Sequence, residues 1–386
     1  MSNAMIVNKE KPKEFKLFGK LSWKHIAIII AIALIMGVFN HLTNGVFLSQ
    51  RNVSLLLRQS AILGIVSSGM VLLIIARQID LSAGAAVYLV SVVAGQLSVT
   101  YQLGLVPTII CAVLAGLLMG AFQGMMVAKF NIPAFIVTLA GMLIFRGIGY
   151  VWTNAATVGP VSSQFIYLSE GYISIIASFI IIFLIASIAL FLTFRNAMKL
   201  KQWISFKQGF WLKALPIFFL TILAFWIFLG YQGIPMAVVI VGVGVIIMNL
   251  VMAKSKFGRN IYVIGGNPDA AKLSGVKVTK HLFTAFLVMG LIYGIAGVLM
   301  TARLGSAAPT AGQLLELDAI AAAVIGGTSL SGGIGVIPGA LIGALLLSAI
   351  DNCMSLLNVS SFLQMVVKGV ILLAAVWFDI SIRKKK

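Results

Sequence analysis

Long apolar runs separated by short polar segments recur along almost the whole chain. A helix needs about 20 residues to cross a bilayer. Twelve apolar segments are candidates: 26–39, 55–76, 83–99, 106–128, 134–152, 173–194, 214–230, 236–253, 282–302, 319–325, 336–350 and 362–378. Segment 319–325 is short and its continuation is Gly-rich, which favours a broken or re-entrant element buried within the bundle. The pattern predicts an all-α fold, a polytopic membrane helix bundle of about 10–12 transmembrane helices.

The composition strengthens this interpretation. Hydrophobic residues make up 61% of the chain and charged residues only 10%, whereas soluble domains carry about 25% charged residues. The mean hydropathy is +1.09. The chain is therefore expected to be an integral membrane protein whose outer surface contacts membrane lipid.

The net charge of +19 comes from basic residues that lie in a few groups. Six Lys lie in the first 24 residues, five basic residues lie between Arg195 and Lys213, six between Lys254 and Lys280, and four end the chain. Even numbers of predicted crossings separate these groups, so all of them can face the cytoplasm, as the positive-inside rule requires. This predicts cytoplasmic N- and C-termini and argues against nucleic-acid binding.

The N-terminal segment 1–24 is basic and begins with Ser2-Asn3-Ala4 after Met1, which we interpret as a tag remnant. Segment 26–39 has no small-residue cleavage site after it, so we predict a first membrane helix and not a removed signal peptide. Cys111 and Cys353 have no metal-ligand spacing and are interpreted as packing residues. No metal site is predicted.

The polar segment 254–281 encodes a short helix. Asn267 is a good N-cap, Pro268 suits the first helical position, Asp269 complements the helix dipole, and Gly275 can adopt the left-handed C-cap conformation. A helix of about two turns is not stable alone in water. Three apolar side chains are therefore expected to pack against the bundle or a partner: Ala270, Ala271 and Leu273. An ordered loop and a docking element both remain open.

Two stretches resemble each other within the chain. "IDLSAGAAVYLVSVVAGQL" (79–97) and "TSLSGGIGVIPGALIGALL" (328–346) share a Leu-Ser-small-Gly core followed by a small-residue-rich span. This predicts two internally related halves, 25–253 and 282–386, as in transporters built from repeats. The alternative is that Gly- and Ala-rich membrane helices look alike by composition.

Polar residues near the membrane are the candidates for a translocation path, because charge in hydrocarbon is costly and usually faces a cavity or a partner. Their alternative role is structural, as interfacial groups or internal ion pairs. The candidates are Gln78, Asp80, Asn154, Glu316, Asp318, Ser329 and Asn352.

Several of these runs together resemble one known family. "FGRNIYVIGGNPDAAKLSGV" (257–276), "NVSLLLRQSAILGIVSSGMVLLIIARQIDLSAG" (52–84), "IPAFIVTLAGMLIFRGI" (132–148) and "LDAIAAAVIGGTSLSGGIGVIPGALIGALL" (317–346) are similar to the signature regions of bacterial monosaccharide ABC permeases. "TNAATVGP" (153–160) and "DNCMSLLNVSSFLQMVVKGVILLAAVW" (351–377) resemble the xylose-type subgroup. That subgroup has an additional hairpin, here near 173–231.

The resemblance implies a transport subunit of the bacterial inner membrane that is not an enzyme and binds no cofactor. ATP would be used by a cytoplasmic ATPase subunit with two nucleotide-binding domains, on which two copies of the permease would sit. A periplasmic or lipid-anchored binding protein would deliver the sugar. Segment 254–281 would be the coupling loop, with Arg259, Asn267, Pro268, Asp269, Ala270, Ala271, Leu273 and Gly275 as coupling residues. The sequence has no G-x-x-x-x-G-K-[ST] phosphate loop, which agrees with this implication.

Two other functional classes are alternatives for this sequence. A proton-coupled secondary sugar transporter would also show carboxylates near the membrane midplane, where Asp80 or Glu316 could serve. The capped polar helix argues against that class. An intramembrane enzyme would need a nucleophile or metal motif, and the sequence has neither HExxH nor GxSxG. The sequence does not choose between xylose and another monosaccharide.

Overall fold

The computed structural model describes residues 34–198 and 203–384. The predicted basic segment 1–24 lies outside this range. The described residues form helices and no named strand: α1 (34–42), α2 (Gln50–Ile75), α3 (Ala83–Gly95, continued by a π-helical turn Gln96–Thr100), α4 (Leu105–Ala128), α5 (Ala134–Thr153), α6 (Ser163–Glu170), α7 (Ile175–Met198), α8 (Trp203–Leu229), α9 (Met236–Lys254), α10 (Lys256–Gly266), α11 (Pro268–Leu273), α12 (Val278–Leu304), α13 (Leu315–Ile325), α14 (Ile337–Leu356) and α15 (Ser361–Lys384). The all-α prediction is confirmed.

Eight of the described helices are long and apolar enough to cross a membrane: α2, α3 with its π-helical turn, α4, α5, α7, α9, α12 and α14. α8 and α15 contain shorter apolar stretches, Ala214–Leu229 and Ser361–Trp377. α13 has only 11 residues, in agreement with the short element predicted at 319–325. The predicted polytopic helical membrane bundle is therefore confirmed.

Helices α2 and α12 form the centre of the bundle. In the apolar window of α2, 89% of the residues are buried, against 11% in α7. α2 packs on α9, α12, α13 and α14, while α12 packs on α3 and α4. Because the outer helices present leucine, isoleucine and phenylalanine outward, their exposed faces suit lipid.

Glycines set the distance between several helix pairs. A Cβ at Gly116 would lie 2.5 Å from Gly290 O and 2.6 Å from Gly294 N, so α4 and α12 touch through their backbones. Gly326 and Gly339 make the same kind of contact where α13 meets α14. Close backbone approach at small residues is the usual packing device of membrane helices.

Helices α7 and α8 pack on each other and stand at the edge of the bundle. Gln50 Nε2 donates a hydrogen bond to Trp226 O at 3.0 Å. At the base of the pair, Ile173 N donates to Ile234 O at 2.9 Å. The two chain ends of this hairpin therefore lie side by side.

Candidate functional site

The polar segment after α9 folds into two helices, α10 and α11, and the sequence dictates the ends of α11. Asn267 Oδ1 accepts hydrogen bonds from the backbone N–H groups of Asp269 and Ala270, both at 3.0 Å. Pro268 is the first helical residue, and Gly275 lies beyond the helix with φ +80°. The predicted short helix is present with the caps that the sequence indicates.

The three apolar side chains of α11 do not share one environment. Ala271 is fully buried against the chain, whereas Ala270 is exposed and Leu273 is 91% exposed. The expected packing within this chain therefore holds for Ala271 alone. We name the exposed residues Asp269, Ala270 and Leu273 the docking face. Arg259 lies on α10 and is exposed as well, and its Nη1 donates to Lys254 O at 3.2 Å, at the end of α9.

α10 rests on two loops of the bundle. Arg77, in the loop 76–82 after α2, donates from Nε to Gly265 O and from Nη2 to Gly266 O, both at 2.7 Å. Tyr262 donates its hydroxyl hydrogen to Gly335 O at 2.7 Å, in the loop 326–336 between α13 and α14. The loop 326–336 also contacts the end of α2, since Gly333 N donates to Ile75 O at 2.9 Å. We call this meeting point the junction.

The junction depends on residues that sequence reasoning did not single out for it. A Cβ at Gly265 would collide with Ile75 O, so only glycine lets α10 approach this closely. Burial raises the pKa of the Tyr262 hydroxyl, which keeps it protonated as a donor. The two loops contain the starts of the two similar stretches 79–97 and 328–346, and that likeness was the one available signal.

Asp80 lies in a closed polar network near the junction. It is fully buried and accepts hydrogen bonds from Ser82 N at 2.8 Å, from Ser82 Oγ at 2.7 Å and from the Tyr293 hydroxyl. Gln123 Nε2 donates to Ser82 Oγ at 2.5 Å. The network joins the start of α3 to α4 and α12. These hydrogen bonds give the buried Asp80 carboxylate a structural role, because they satisfy it within the packed bundle.

Asn352 also has a structural partner. Asn52 Nδ2 donates to Asn352 Oδ1 at 2.8 Å, and Asn352 Nδ2 donates back to Asn52 Oδ1 at 3.0 Å. Both residues are buried. This reciprocal amide pair connects α2 with α14.

Glu316 lines a cavity of about 430 Å³ between α5 and the segment before α13. We call it the α5 cavity. Arg146 lies on its wall, donates from Nη1 to Pro309 O at 3.2 Å and stacks over the Tyr88 ring at 5.1 Å. Tyr150, Thr310 and Gln313 complete its polar and aromatic lining. The cavity offers a carboxylate, a guanidinium and an amide beside an aromatic ring.

Asp318 lines a second, smaller cavity of about 270 Å³, which we call the Asp318 cavity. Lys368 Nζ lies 2.9 Å from Asp318 Oδ2 and 2.8 Å from Asp351 Oδ2. The other polar lining residues are Gln59, Arg303, Ser348, Ser355 and Gln364. α13 therefore separates two polar cavities, with one carboxylate of its first turn at each.

Comparison with known proteins decides the family. The family described as the permease component of the branched-chain amino acid transport system matches residues 52–376. The xylose transport system permease protein of Haemophilus influenzae is 43% identical over 362 residues, covering 93% of this chain and 96% of the relative. The chain belongs to this permease family. It is thus the permease component of a transport system and a multi-pass membrane protein.

Two further relatives are also permease proteins named for sugars. The xylose transport system permease protein of Escherichia coli strain K12 is 39% identical over 393 residues, covering 98% of this chain and 100% of the relative. The ribose import permease protein of the same strain is 34% identical, over 91% of this chain and 92% of the relative. No solved structure matches.

The permease does not gather the seven predicted path residues into one place. Glu316 and Asp318 reach separate cavities, Asp80 and Asn352 are buried in pairs or networks, and Asn154 is exposed where α5 ends. The remaining two lie in the loops at the junction: Gln78 and Ser329. Among the described residues there is no group of three or more His, Cys, Asp or Glu that could hold a metal ion.

Proposed function

We propose that this permease imports a monosaccharide, with xylose as the first candidate. The support is the similarity to the xylose and ribose permeases over nearly the whole chain. ATP is hydrolysed by a separate cytoplasmic ATPase subunit with two nucleotide-binding domains. A sugar-binding protein delivers the substrate on the other side of the membrane, and two copies of the permease form the complex. Both termini lie in the cytoplasm.

The docking face of α11 carries this proposal. An exposed leucine on a short, well-capped helix outside the bundle is a surface for a protein partner, because an exposed apolar side chain there gains from burial. Since α10 continues into α11 and is fixed to both loops at the junction, a displacement of α11 reaches α2, α3, α13 and α14 together. A closing ATPase would move these elements as rigid bodies.

The α5 cavity is our proposed part of the translocation path. Ionisable side chains on membrane helices usually face a cavity or a partner, and Arg146 and Glu316 both line this cavity beside Tyr150. Apolar side chains such as Leu143 surround it and remain exposed. A second copy of the permease covering this face would enclose the path. Asp80 and Asn352 keep structural roles in this proposal.

The docking role is tested by co-purification of the ATPase subunit with a Leu273→Asp variant. A charge on the docking face should reduce recovery of the ATPase about tenfold or more, because a buried unpaired carboxylate is strongly disfavoured at an interface. The matched control is Leu304→Asp, since Leu304 is 45% exposed at the far end of α12. This control should leave recovery unchanged.

ATP-dependent xylose uptake into proteoliposomes is measured in parallel with both variants. Loss of uptake with Leu273→Asp and normal uptake with Leu304→Asp supports the docking role. If Leu273→Asp keeps both the complex and uptake, the docking face is assigned wrongly. Uptake that follows a proton gradient in the absence of ATP would instead revive the proton-coupled mechanism.

A further inference from the structure

The Asp318 cavity contains polar groups that the rest of the described chain leaves without hydrogen bonds. The Arg303 guanidinium and the Gln59 amide line the cavity, and neither is among the side chains that form hydrogen bonds within the described residues. Asp351 Oδ1 is buried and has no partner there. Donors and acceptors that line one cavity without partners in the described chain can be satisfied by a polar ligand.

The charges of the cavity nearly cancel. Lys368 lies between Asp318 and Asp351 in two ion pairs, and Arg303 supplies a second positive charge. Two carboxylates and two cations give no formal excess, so the cavity favours a neutral ligand over an ion. Charged and amide groups of this kind match the hydroxyl groups of a sugar, which both donate and accept.

The size and the remaining walls agree with a small polyol. A volume of about 270 Å³ lies just below the range of roughly 300–1,000 Å³ that is typical of small-molecule pockets. Ile62, Leu63, Met300 and Leu315 provide an apolar wall against which the C–H face of a sugar ring can lie. A single monosaccharide fits this combination better than a larger ligand does.

We propose that the Asp318 cavity binds one monosaccharide molecule in each copy of the permease, apart from the α5 cavity. The Asp351 carboxylate accepts hydrogen bonds from sugar hydroxyls, while Arg303 and Gln59 donate hydrogen bonds to them. Lys368 is a positioning residue, because it fixes the two carboxylates by its ion pairs. This inference rests on the proposed sugar transport and identifies a place where the substrate is held.

The test is protection of an introduced thiol by xylose in the reconstituted importer. Ser348 lines the Asp318 cavity and Gln313 lines the α5 cavity. Each is changed to cysteine, Ser348→Cys or Gln313→Cys, in a Cys111→Ser background that removes the exposed native thiol. The rate of modification by a small methanethiosulfonate reagent is measured with and without xylose at millimolar concentration.

We expect xylose to slow modification of Ser348→Cys at least threefold and to leave Gln313→Cys unchanged under the same conditions without ATP. Adding Gln59→Leu should abolish the protection of Ser348→Cys, whereas Gln313→Leu should preserve it. Equal protection at both positions, or protection at Gln313→Cys alone, overturns the assignment. The thermal unfolding midpoint of each variant is measured as a control, to show that a loss of protection does not come from misfolding.

Uptake by the unmodified importer separates this inference from the proposed function. Normal ATP-dependent xylose uptake without protection of Ser348→Cys rejects the sugar site and keeps the import role. Absence of both uptake and protection rejects the import of xylose as well. Protection that disappears with Gln59→Leu supports the site directly.

Discussion

At the scale of single residues, Arg77 links the bundle to α10 through two hydrogen bonds from one guanidinium. Its backbone has φ +59°, a left-handed conformation that non-glycine residues rarely adopt. The planar guanidinium reaches two neighbouring carbonyls at once, which a lysine ammonium does not reproduce. We infer that this residue is kept in an unfavourable conformation because its side chain completes the junction.

The first prediction concerns Arg77→Gly. Glycine adopts positive φ without strain, so this variant removes the guanidinium while preserving the backbone conformation. A hydrogen bond to a charged group contributes about 1.5–3 kcal/mol, and solvent at Nη2 reduces that value. We expect ATP-driven uptake to fall about tenfold, equivalent to ~1.4 kcal/mol, and the melting temperature to fall slightly, because the strain relieved at the positive φ offsets only part of the lost hydrogen bonding.

ATP hydrolysis stimulated by substrate is the second measurement on this variant. Arg77→Lys should show a similar loss, because it keeps the charge and loses the paired geometry. If Arg77→Gly transports normally, the junction does not transmit the motion of α11 through this side chain.

A second residue-scale prediction concerns the Asn52–Asn352 pair. Asn352→Leu removes the donor to Asn52 Oδ1 and leaves Asn52 Nδ2 with Phe47 O as its remaining acceptor. A buried polar group without its partner costs about 1–3 kcal/mol, so we expect a lower free energy of unfolding by ~1–2 kcal/mol. Denaturant titration of the purified protein in mild detergent measures this change.

The double variant Asn52→Leu/Asn352→Leu is the control for this pair. Interhelical hydrogen bonds in a membrane protein couple by about 0.6 kcal/mol on average and by up to about 1.7 kcal/mol. The double variant should therefore lose less stability than the sum of the two single variants. Strict additivity would mean that the amides do not stabilise each other, and lost uptake in a stable variant would return Asn352 to the translocation path.

At the scale of helices, α4 and α12 are held together by glycines that allow direct backbone contact. A Cβ at Gly120 would lie 2.7 Å from Gly290 Cα and 2.8 Å from Gly290 N. Both of these atoms belong to the backbone of α12, so neither can move aside as the end of a flexible side chain could. The interface therefore depends on the absence of side chains at these positions.

We predict that Gly120→Ala destabilises the protein by about 1–3 kcal/mol, the usual cost of overpacking. The matched variant is Gly242→Ala in α9, because an added Cβ there would meet no atom within 4 Å apart from the nearby backbone of its own helix. Alanine favours a helix interior over glycine by up to about 1 kcal/mol. Gly242→Ala should therefore be neutral or stabilising. Equal effects of the two variants on the thermal unfolding midpoint would show that helix propensity, and not close packing, controls this interface.

Features that depend on neighbouring residues can be predicted from the sequence, whereas contacts between residues far apart in the chain cannot. The caps of α11 are predictable because Asn267, Pro268 and Gly275 act within a few residues of one another. The apolar spans follow from hydropathy in the same way. The junction and the two cavities join residues far apart in sequence, such as Arg77 with Gly265 and Asp318 with Lys368. Periodicity contains no information on such pairs, so the separate surroundings of Glu316 and Asp318 became visible only in the fold.

At the scale of the whole molecule, the hairpin α7–α8 is a peripheral addition to the bundle. Only 11% of the residues in the apolar stretch of α7 are buried. The chain ends of the hairpin are paired, since Ile173 N donates to Ile234 O at 2.9 Å. Tyr172 and Pro235 form an antiparallel bridge just outside that contact. The hairpin therefore contacts the core around α2 and α12 only at its edge, and that 173–231 is additional relative to the ribose-type permeases stays a prediction.

The last prediction is that replacing residues 174–233 with Asn-Gly preserves folding and transport. Asn-Gly forms a two-residue turn between antiparallel backbone segments, so it should close the existing Ile173–Ile234 pair without moving α6 or α9. The deletion removes two crossings, which leaves the orientation of every later helix unchanged under the positive-inside rule. We expect ATP-driven xylose uptake within about threefold of the unmodified protein, since the docking face and both cavities lie outside the hairpin.

The contrasting variant removes α8 alone, which reverses the orientation required of α9 and all later helices and should abolish insertion. Protease accessibility of the α10–α11 segment in sealed vesicles reports this orientation. A hairpin deletion that inserts correctly but no longer recruits the ATPase subunit would mean that α7–α8 takes part in coupling and is not a peripheral addition.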